Sequence, residues 1–155
     1  MKWYEVIGLI GSIVSIGAAI YTYRYSTIIK KTKDEIFGLF KAIKFSSINE
    51  NTTTTIEQIK KIAHRQKIAR GTNIDEIINS LNLYFEKIFK LKNEKEVEES
   101  SKLNLLIDNY RQKVVEITNS RNDETKLIQC FNEIYELTLT IDQEFGKLTK
   151  KIVEK

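Results

Sequence analysis

The chain contains one histidine, His64, and one cysteine, Cys130. A catalytic histidine needs a hydroxyl, thiol or carboxylate at contact distance, but the helical neighbours of His64, four residues away on either side, are Lys60 and Ile68. Cys130 precedes Phe131, which occupies an apolar helical position, so a small buried residue is expected there rather than a reactive thiol. One histidine and one cysteine are also too few for a four-ligand zinc site. We therefore expect no histidine- or cysteine-based chemistry.

Acidic residues are numerous, but their spacing is not typical of a catalytic or metal site. Glu133 and Glu136, or Asp142 and Glu144, fall on the outward side of a predicted helix, where alternating charge indicates solvation. The chain lacks the Glu-x-x-His pairs of a di-metal bundle and the glycine-rich loop that binds phosphate. We predict a protein that is not an enzyme and that has no catalytic residues, no metal and no cofactor.

A basic segment between Thr55 and Gly71 carries the strongest local charge. Five cations oppose only Glu57, a balance of 5 − 1 = +4 that equals the net charge of the whole chain. The spacing predicts a helix over residues 55–70, opened by a Thr-x-x-Gln capping box, that presents cations to phosphates of nucleic acid, a nucleotide messenger or anionic lipid. A solvated face is the alternative, since no aromatic residue interleaves these cations in the sequence. The predicted contact residues are Lys60, Lys61, Arg65, Lys67 and Arg70.

Residues 6–23 are 18 consecutive uncharged residues. As an α-helix they would extend about 27 Å, close to the hydrocarbon thickness of a bilayer, and aromatic residues flank both ends. We predict a transmembrane anchor over residues 1–25 of a single-pass inner-membrane protein with its N-terminus outside. A cleaved signal peptide and a core helix of a soluble assembly are the alternatives. The cations that place the C-terminal side in the cytoplasm are Arg24, Lys30, Lys31 and Lys33.

Small residues of this segment fall within an arc of about 120° at 100° per residue. Their small-xxx-small spacing permits close helix approach in lipid, so we predict self-association through this face. In a ring larger than a dimer the face would line a pore. The alternative is that glycine and alanine are simply common in membrane helices. The face consists of Gly8, Gly11, Ser12, Ser15, Ala18, Ala19 and Thr22.

The remaining residues, 26–155, predict an all-α cytoplasmic bundle of four to five helices, because the chain has no proline and only six glycines. The first helix is expected to continue from the anchor and to end in a loop at residues 49–55. Further helices are expected over residues 55–70, 73–93 and 103–119, and from residue 122 or 123 onward, with an acidic connection at residues 94–101. The last helix has a seven-residue apolar period, expected to pack within the chain rather than as an intermolecular coiled coil. Its positions are Leu127, Phe131, Ile134, Thr138, Ile141, Phe145, Leu148 and Ile152.

The order of a membrane helix followed by a helical bundle resembles the HEPN-like membrane effectors of bacterial antiphage defence, such as the pore-forming accessory proteins of type VI CRISPR systems. HEPN ribonucleases carry an arginine, a polar residue and, a few residues later, a histidine. The matching stretch here has Arg121, Asn122 and Lys126, with lysine in the place of histidine. A charged lysine is a poor general base, so the resemblance implies a structural or oligomer-contact role for Arg121 rather than RNA cleavage.

These patterns predict an oligomeric membrane protein that forms a pore or permeabilises the membrane in CRISPR-associated antiphage defence. Expected partners are membrane lipid, further copies of the chain and, through the basic segment, a nucleic acid, a nucleotide messenger or a defence protein. The first alternative is a membrane-tethered scaffold, or a nucleic-acid- or nucleotide-binding module, without pore activity. A ribonuclease is the second alternative.

Overall fold

A computed structural model describes the backbone of residues 3–154 and the side chains of residues 15–154. Over these residues the chain is all-α, as predicted, with five helices and no strand. The helices are α1 (Trp3–Ile59), α2 (Ile74–Lys90), α3 (Lys95–Glu98), α4 (Ser101–Asn119) and α5 (Glu124–Val153). The chain divides into two compact units, Met1–Phe40 and Lys41–Lys155. This division lies further along the chain than the end of the predicted anchor at residue 25.

The first unit contains the N-terminal part of α1. Across the part of the chain that the structure describes, no helix combines the length and the apolar character needed to cross a membrane. Half of the predicted span, residues 6–14, lies outside the described side chains, so the transmembrane anchor stays a prediction. From residue 15 to residue 37 every side chain of α1 is exposed.

Helix α1 continues through residues 49–55, where the sequence predicted a loop. Polar side chains there bond back to the helix: the hydroxyls of Thr53 and Thr54 donate to carbonyls four residues earlier, at 3.0 and 3.1 Å. Thr52 and Thr55 instead point into the bundle and are 2% and 3% exposed. They extend a core-facing period of alternating three- and four-residue steps, which tertiary packing stabilises despite the low helix propensity of threonine. The loop prediction was therefore wrong. That period consists of Phe45, Ile48, Thr52, Thr55, Ile59 and Ile62.

The second unit is an antiparallel bundle of four long helical segments: residues 41–59 of α1, then α2, α4 and α5. In two helix pairs, α1 with α2 and α4 with α5, the contacting residue moves forward along one helix as it moves backward along the other, so the two helices are antiparallel. The contacts are Lys102–Glu144 and Lys113–Glu133 for α4 and α5, and Asn51–Lys87 and Thr52–Tyr84 for α1 and α2.

The helix starts follow the capping residues in the sequence. Asn73 accepts from the backbone N–H of Glu76 at 3.2 Å to begin α2, and Asp123 accepts from that of Lys126 at 3.0 Å to begin α5. Helix α2 ends at Lys90 rather than near residue 93. The acidic connection contains the short helix α3, whose Val97 is fully buried in the core of the bundle.

The apolar period of α5 packs within the chain, as predicted. Six of its eight positions are buried, and Leu148 and Ile152 pack partly buried against the same core. Phe145 contacts Phe45 of α1 with ring centroids 5.7 Å apart. Cys130 is 4% exposed and contributes to this core, and burial raises the pKa of its thiol. One face of α5 therefore contributes to a single core shared by all four segments.

Two tyrosines lie side by side in this core. The rings of Tyr84 and Tyr110 are 5.4 Å apart, and burial raises the pKa of both hydroxyls. Thr52 donates to the hydroxyl of Tyr84 at 3.2 Å. The buried hydroxyl of Tyr110 forms no hydrogen bond of ordinary geometry with a described residue. The hydroxyl of Thr138 lies near enough to lower the pKa of Tyr110 slightly against the effect of burial, but it donates its proton to the carbonyl of Ile134 at 2.6 Å. The two hydroxyls are thus in contrasting environments.

This contrast predicts opposite effects of two matched substitutions. Tyr84→Phe should lower the free energy of unfolding by about 1–3 kcal/mol, because the buried hydroxyl of Thr52 loses its partner. Tyr110→Phe should leave it unchanged or raise it, because a buried, unsatisfied hydroxyl is removed. Urea denaturation followed by circular dichroism measures both. A loss for Tyr110→Phe equal to that for Tyr84→Phe would contradict this assignment.

Ion pairs along the bundle predict loss of stability in acid. Hydrogen bonds from Lys113 and Gln129 hold the pKa of Glu133 below its ordinary value of 4.5, and bonds from Lys147 and Lys102 do the same for Glu144. A depressed pKa in the folded state stabilises the protein above the ordinary glutamate pKa, and this contribution is lost as the pH falls through the folded value.

The free energy of unfolding should therefore decrease below about pH 4.5. Glu133→Gln and Glu144→Gln should each reduce this decrease, by no more than about 1 kcal/mol because such surface pairs are screened by solvent. Urea denaturation at pH 3 to 7 measures the effect. Glu136→Gln is the matched control, since Glu136 is exposed on the same helix and no described group forms an ion pair with it. If this control reduced the acid-induced loss of stability equally, the ion pairs of Glu133 and Glu144 would not be its cause.

Candidate anion-binding loop

The segment between α1 and α2, residues 60–73, is the longest irregular stretch between the described helices, and we call it the basic loop. The predicted helix over residues 55–70 is correct only for residues 55–59, which are the end of α1; it is wrong from residue 60 onward, where turns follow. Ile62 and Ala63 are buried, and Ile68 packs partly buried against the core. Apolar side chains thus fix the loop on the bundle from its inner side.

Two polar side chains of α5 hold the backbone of the loop. The N–H of His64 donates to Oδ1 of Asn132 at 2.6 Å, and the N–H of Ile68 donates to Oε1 of Glu124 at 2.7 Å. His64 has a φ of 61°, in the left-handed region that costs a non-glycine residue energy. A right-handed helix needs a negative φ at every residue, so it cannot continue through His64. The amides of His64 and Ile68 bond to α5 instead of to the carbonyls of a helix.

The basic loop contains all five predicted phosphate-contact residues. Each of these side chains is exposed, and within residues 15–154 none of them forms an ion pair. Many lysines elsewhere in the bundle are neutralised, for example Lys41 by Glu96 at 2.7 Å. The loop cations are therefore available to an external anion. They are Lys60, Lys61, Arg65, Lys67 and Arg70.

The structure also places an aromatic pair at the loop. The imidazole of His64 and the ring of Tyr135 are 4.9 Å apart and nearly perpendicular, at 88°. His64 is exposed, and Tyr135 is partly buried against the core. The sequence did not indicate this residue of α5 because it lies far along the chain from the cations. The sequence indicates only that Tyr135 lies at the edge of the buried face of α5, because it follows the core position Ile134.

The stretch matched to HEPN ribonucleases lies in the turn before α5 and in the first turn of that helix. Nη1 of Arg121 forms an ion pair with Oδ1 of Asp75 at 2.6 Å, which ties the turn before α5 to the first turn of α2. Asn122 and Lys126 are exposed, and the backbone N–H of Lys126 donates to the capping residue of α5. Among the described residues, no group of histidine, cysteine and acidic side chains is arranged to hold a metal ion.

The predicted small-residue face is only partly visible. Its first three members, Gly8, Gly11 and Ser12, lie outside the described side chains. Ser15, Ala18, Ala19 and Thr22 are exposed on α1. The hydroxyl of Thr22 donates to the carbonyl of Ala18 at 2.8 Å, so its proton is used within the helix.

Comparison of this chain with models of protein families, with curated proteins and with solved structures finds no match.

The anchoring of the loop can be tested by hydrogen exchange. Asn132→Ala removes the acceptor of the His64 N–H, so this amide should exchange faster and the free energy of unfolding should fall by about 0.5–1.5 kcal/mol. Asn132→Asp keeps an acceptor oxygen and is the matched control. Equal exchange of the His64 amide in the wild type and in Asn132→Ala would show that this hydrogen bond does not hold the loop.

Proposed function

We propose that this chain is a self-associating inner-membrane protein, anchored by the N-terminal part of α1, that permeabilises the membrane in antiphage defence. The observation that carries the proposal is the exposed apolar surface of the first unit. Large apolar side chains are 48–76% exposed along the described part of α1 in this unit. They are Ile16, Ile20, Tyr21, Tyr23, Tyr25, Ile28, Ile29, Ile36, Phe37, Leu39 and Phe40.

Such a surface is unfavourable in water. Each square ångström of apolar surface left in water forgoes about 25 cal/mol, and helices draw most of their stability from packing of an apolar face. The side chains between residues 15 and 23 continue the uncharged run that starts at residue 6. Lipid around residues 6–23 and contacts between copies of the chain would cover this surface, as an oligomeric membrane protein requires.

The chemistry of the described residues favours a physical action over a catalytic one. The motif that resembles HEPN ribonucleases has lysine in place of histidine, and its arginine is paired with Asp75. A HEPN-like fold, with Arg121 in a structural role, is part of the proposal. In this reading the small residues of α1 provide the contact between membrane helices, and a ring of them lines the opening.

Membrane fractionation and vesicle leakage test the proposal with the full-length chain. The wild type should require detergent for extraction and should release dye from vesicles of bacterial lipid. Ala18→Ile enlarges a residue of the small face and should lower both the oligomer fraction and the leakage. Ile20→Leu, on the opposite side of α1, is the matched control and should retain both.

Three outcomes decide between the candidates. Recovery of the intact chain as a monomer in plain buffer would overturn the membrane assignment. A membrane-bound oligomer that leaves every vesicle sealed would favour the alternative, a tethered scaffold or binding module, which the exposed basic loop supports. RNA cleavage that depends on Arg121 would establish the ribonuclease.

A further inference from the structure

We infer that the basic loop, together with His64 and Tyr135, binds single-stranded nucleic acid, with the loop cations on backbone phosphates and the imidazole stacked on a base. This inference does not depend on the proposed membrane activity. It is carried by the exposed imidazole of His64, which lies among five exposed cations that form no ion pair with any described residue and which the fold packs against Tyr135 of α5.

The charge of the site suits a phosphodiester backbone. Residues 60–70 contain five cations, none of which forms an ion pair among the described residues, and no acidic residue; the acidic side chain that contacts this segment from α5 is Glu124. The carboxylate of Glu124 accepts a backbone N–H of the loop, which satisfies one of its oxygens. Residues 60–70 together with Glu124 therefore have a formal net charge of 5 − 1 = +4. Successive phosphates of a nucleic-acid strand can neutralise cations that are spread along a loop in this way.

The exposed imidazole of His64 indicates which kind of phosphate-bearing ligand fits the site best. Proteins that bind single strands combine a cationic path with rings on which bases stack, and histidine is among the residues used. His64 is exposed, while the perpendicular ring of Tyr135 supports the imidazole from the protein side. A duplex has its bases stacked internally, and a lipid headgroup has no flat face to cover a ring. The exposed imidazole therefore favours a single strand over both.

The loop backbone is fixed before any ligand binds. Asn132 holds the N–H of His64, Glu124 holds that of Ile68, and Ile62 and Ala63 are buried in the core. Binding then needs to order only the long cationic side chains and the ligand, which lowers the entropic cost of association. The positive φ of His64 turns the backbone sharply at the residue whose imidazole is exposed.

Fluorescence anisotropy of labelled twelve-nucleotide oligouridine and oligothymidine, titrated with the full-length chain in detergent, tests the inference. The affinity should fall with salt, with a slope of log K against log salt of about −2 to −3.5 for three to five phosphate contacts. Lys61→Glu with Arg65→Glu should abolish binding. Lys90→Glu with Arg111→Glu changes the net charge equally at exposed positions outside the loop that form no ion pair among the described residues, and it should retain binding.

A second pair of variants tests the ring without disturbing the fold. His64→Gly and His64→Asn both tolerate a positive φ, so thermal stability should be retained while affinity falls about 5- to 100-fold through loss of stacking.

Equal loss in the Lys90→Glu, Arg111→Glu control, or equal affinity for a duplex of the same length, would overturn the inference. Retention on anionic phospholipid vesicles without binding of either oligonucleotide would show that the cations contact lipid instead. Unchanged affinity in both His64 variants would remove the base contact and with it the preference for single strands.

Discussion

The bundle depends on the burial of one face of α5. This helix is 30 residues long, and its core-facing side chains contact residues 41–59 of α1 and the antiparallel helix α4. The same helix presents a polar edge from which Glu124 and Asn132 reach the loop. One element therefore supplies both the hydrophobic surface on which the bundle assembles and the polar groups that shape its candidate site.

The basic loop shows how such contacts override local preference. Residues 55–70 contain no proline, and in isolation their pattern favours a helix. In the folded chain Ile62, Ala63 and Ile68 all reach the core, and the amides of His64 and Ile68 find acceptors on α5. These contacts replace the helical hydrogen bonds, and the five cations lie exposed on an irregular loop instead of on a helix.

The sequence was most informative where local chemistry decides the structure. Asn73 and Asp123 begin helices because their side chains satisfy the first free amides, and the apolar period of α5 identifies its buried face. The loop prediction for residues 49–55 was wrong because Thr52 and Thr55, although polar, occupy buried positions of a continuing three–four period. The five cations were found from composition alone, whereas the contact between Tyr135 and His64 joins residues from α5 and the loop and required the folded chain. The predicted contacts of the small-residue face lie between copies of the chain in lipid, so they are not part of the fold of a single chain.

The basic loop also has a consequence for the covalent integrity of the chain. Each of its five cations is an exposed trypsin cleavage site, and the hydrogen bonds at His64 and Ile68 protect the middle of the loop more than its ends. The helices on either side are packed into the core, so a chain cut within the loop would be held together by the same burial that holds the intact protein. Cleavage here would divide the chain into two segments that remain packed together in the bundle. A molecule bound to the loop would slow this cleavage.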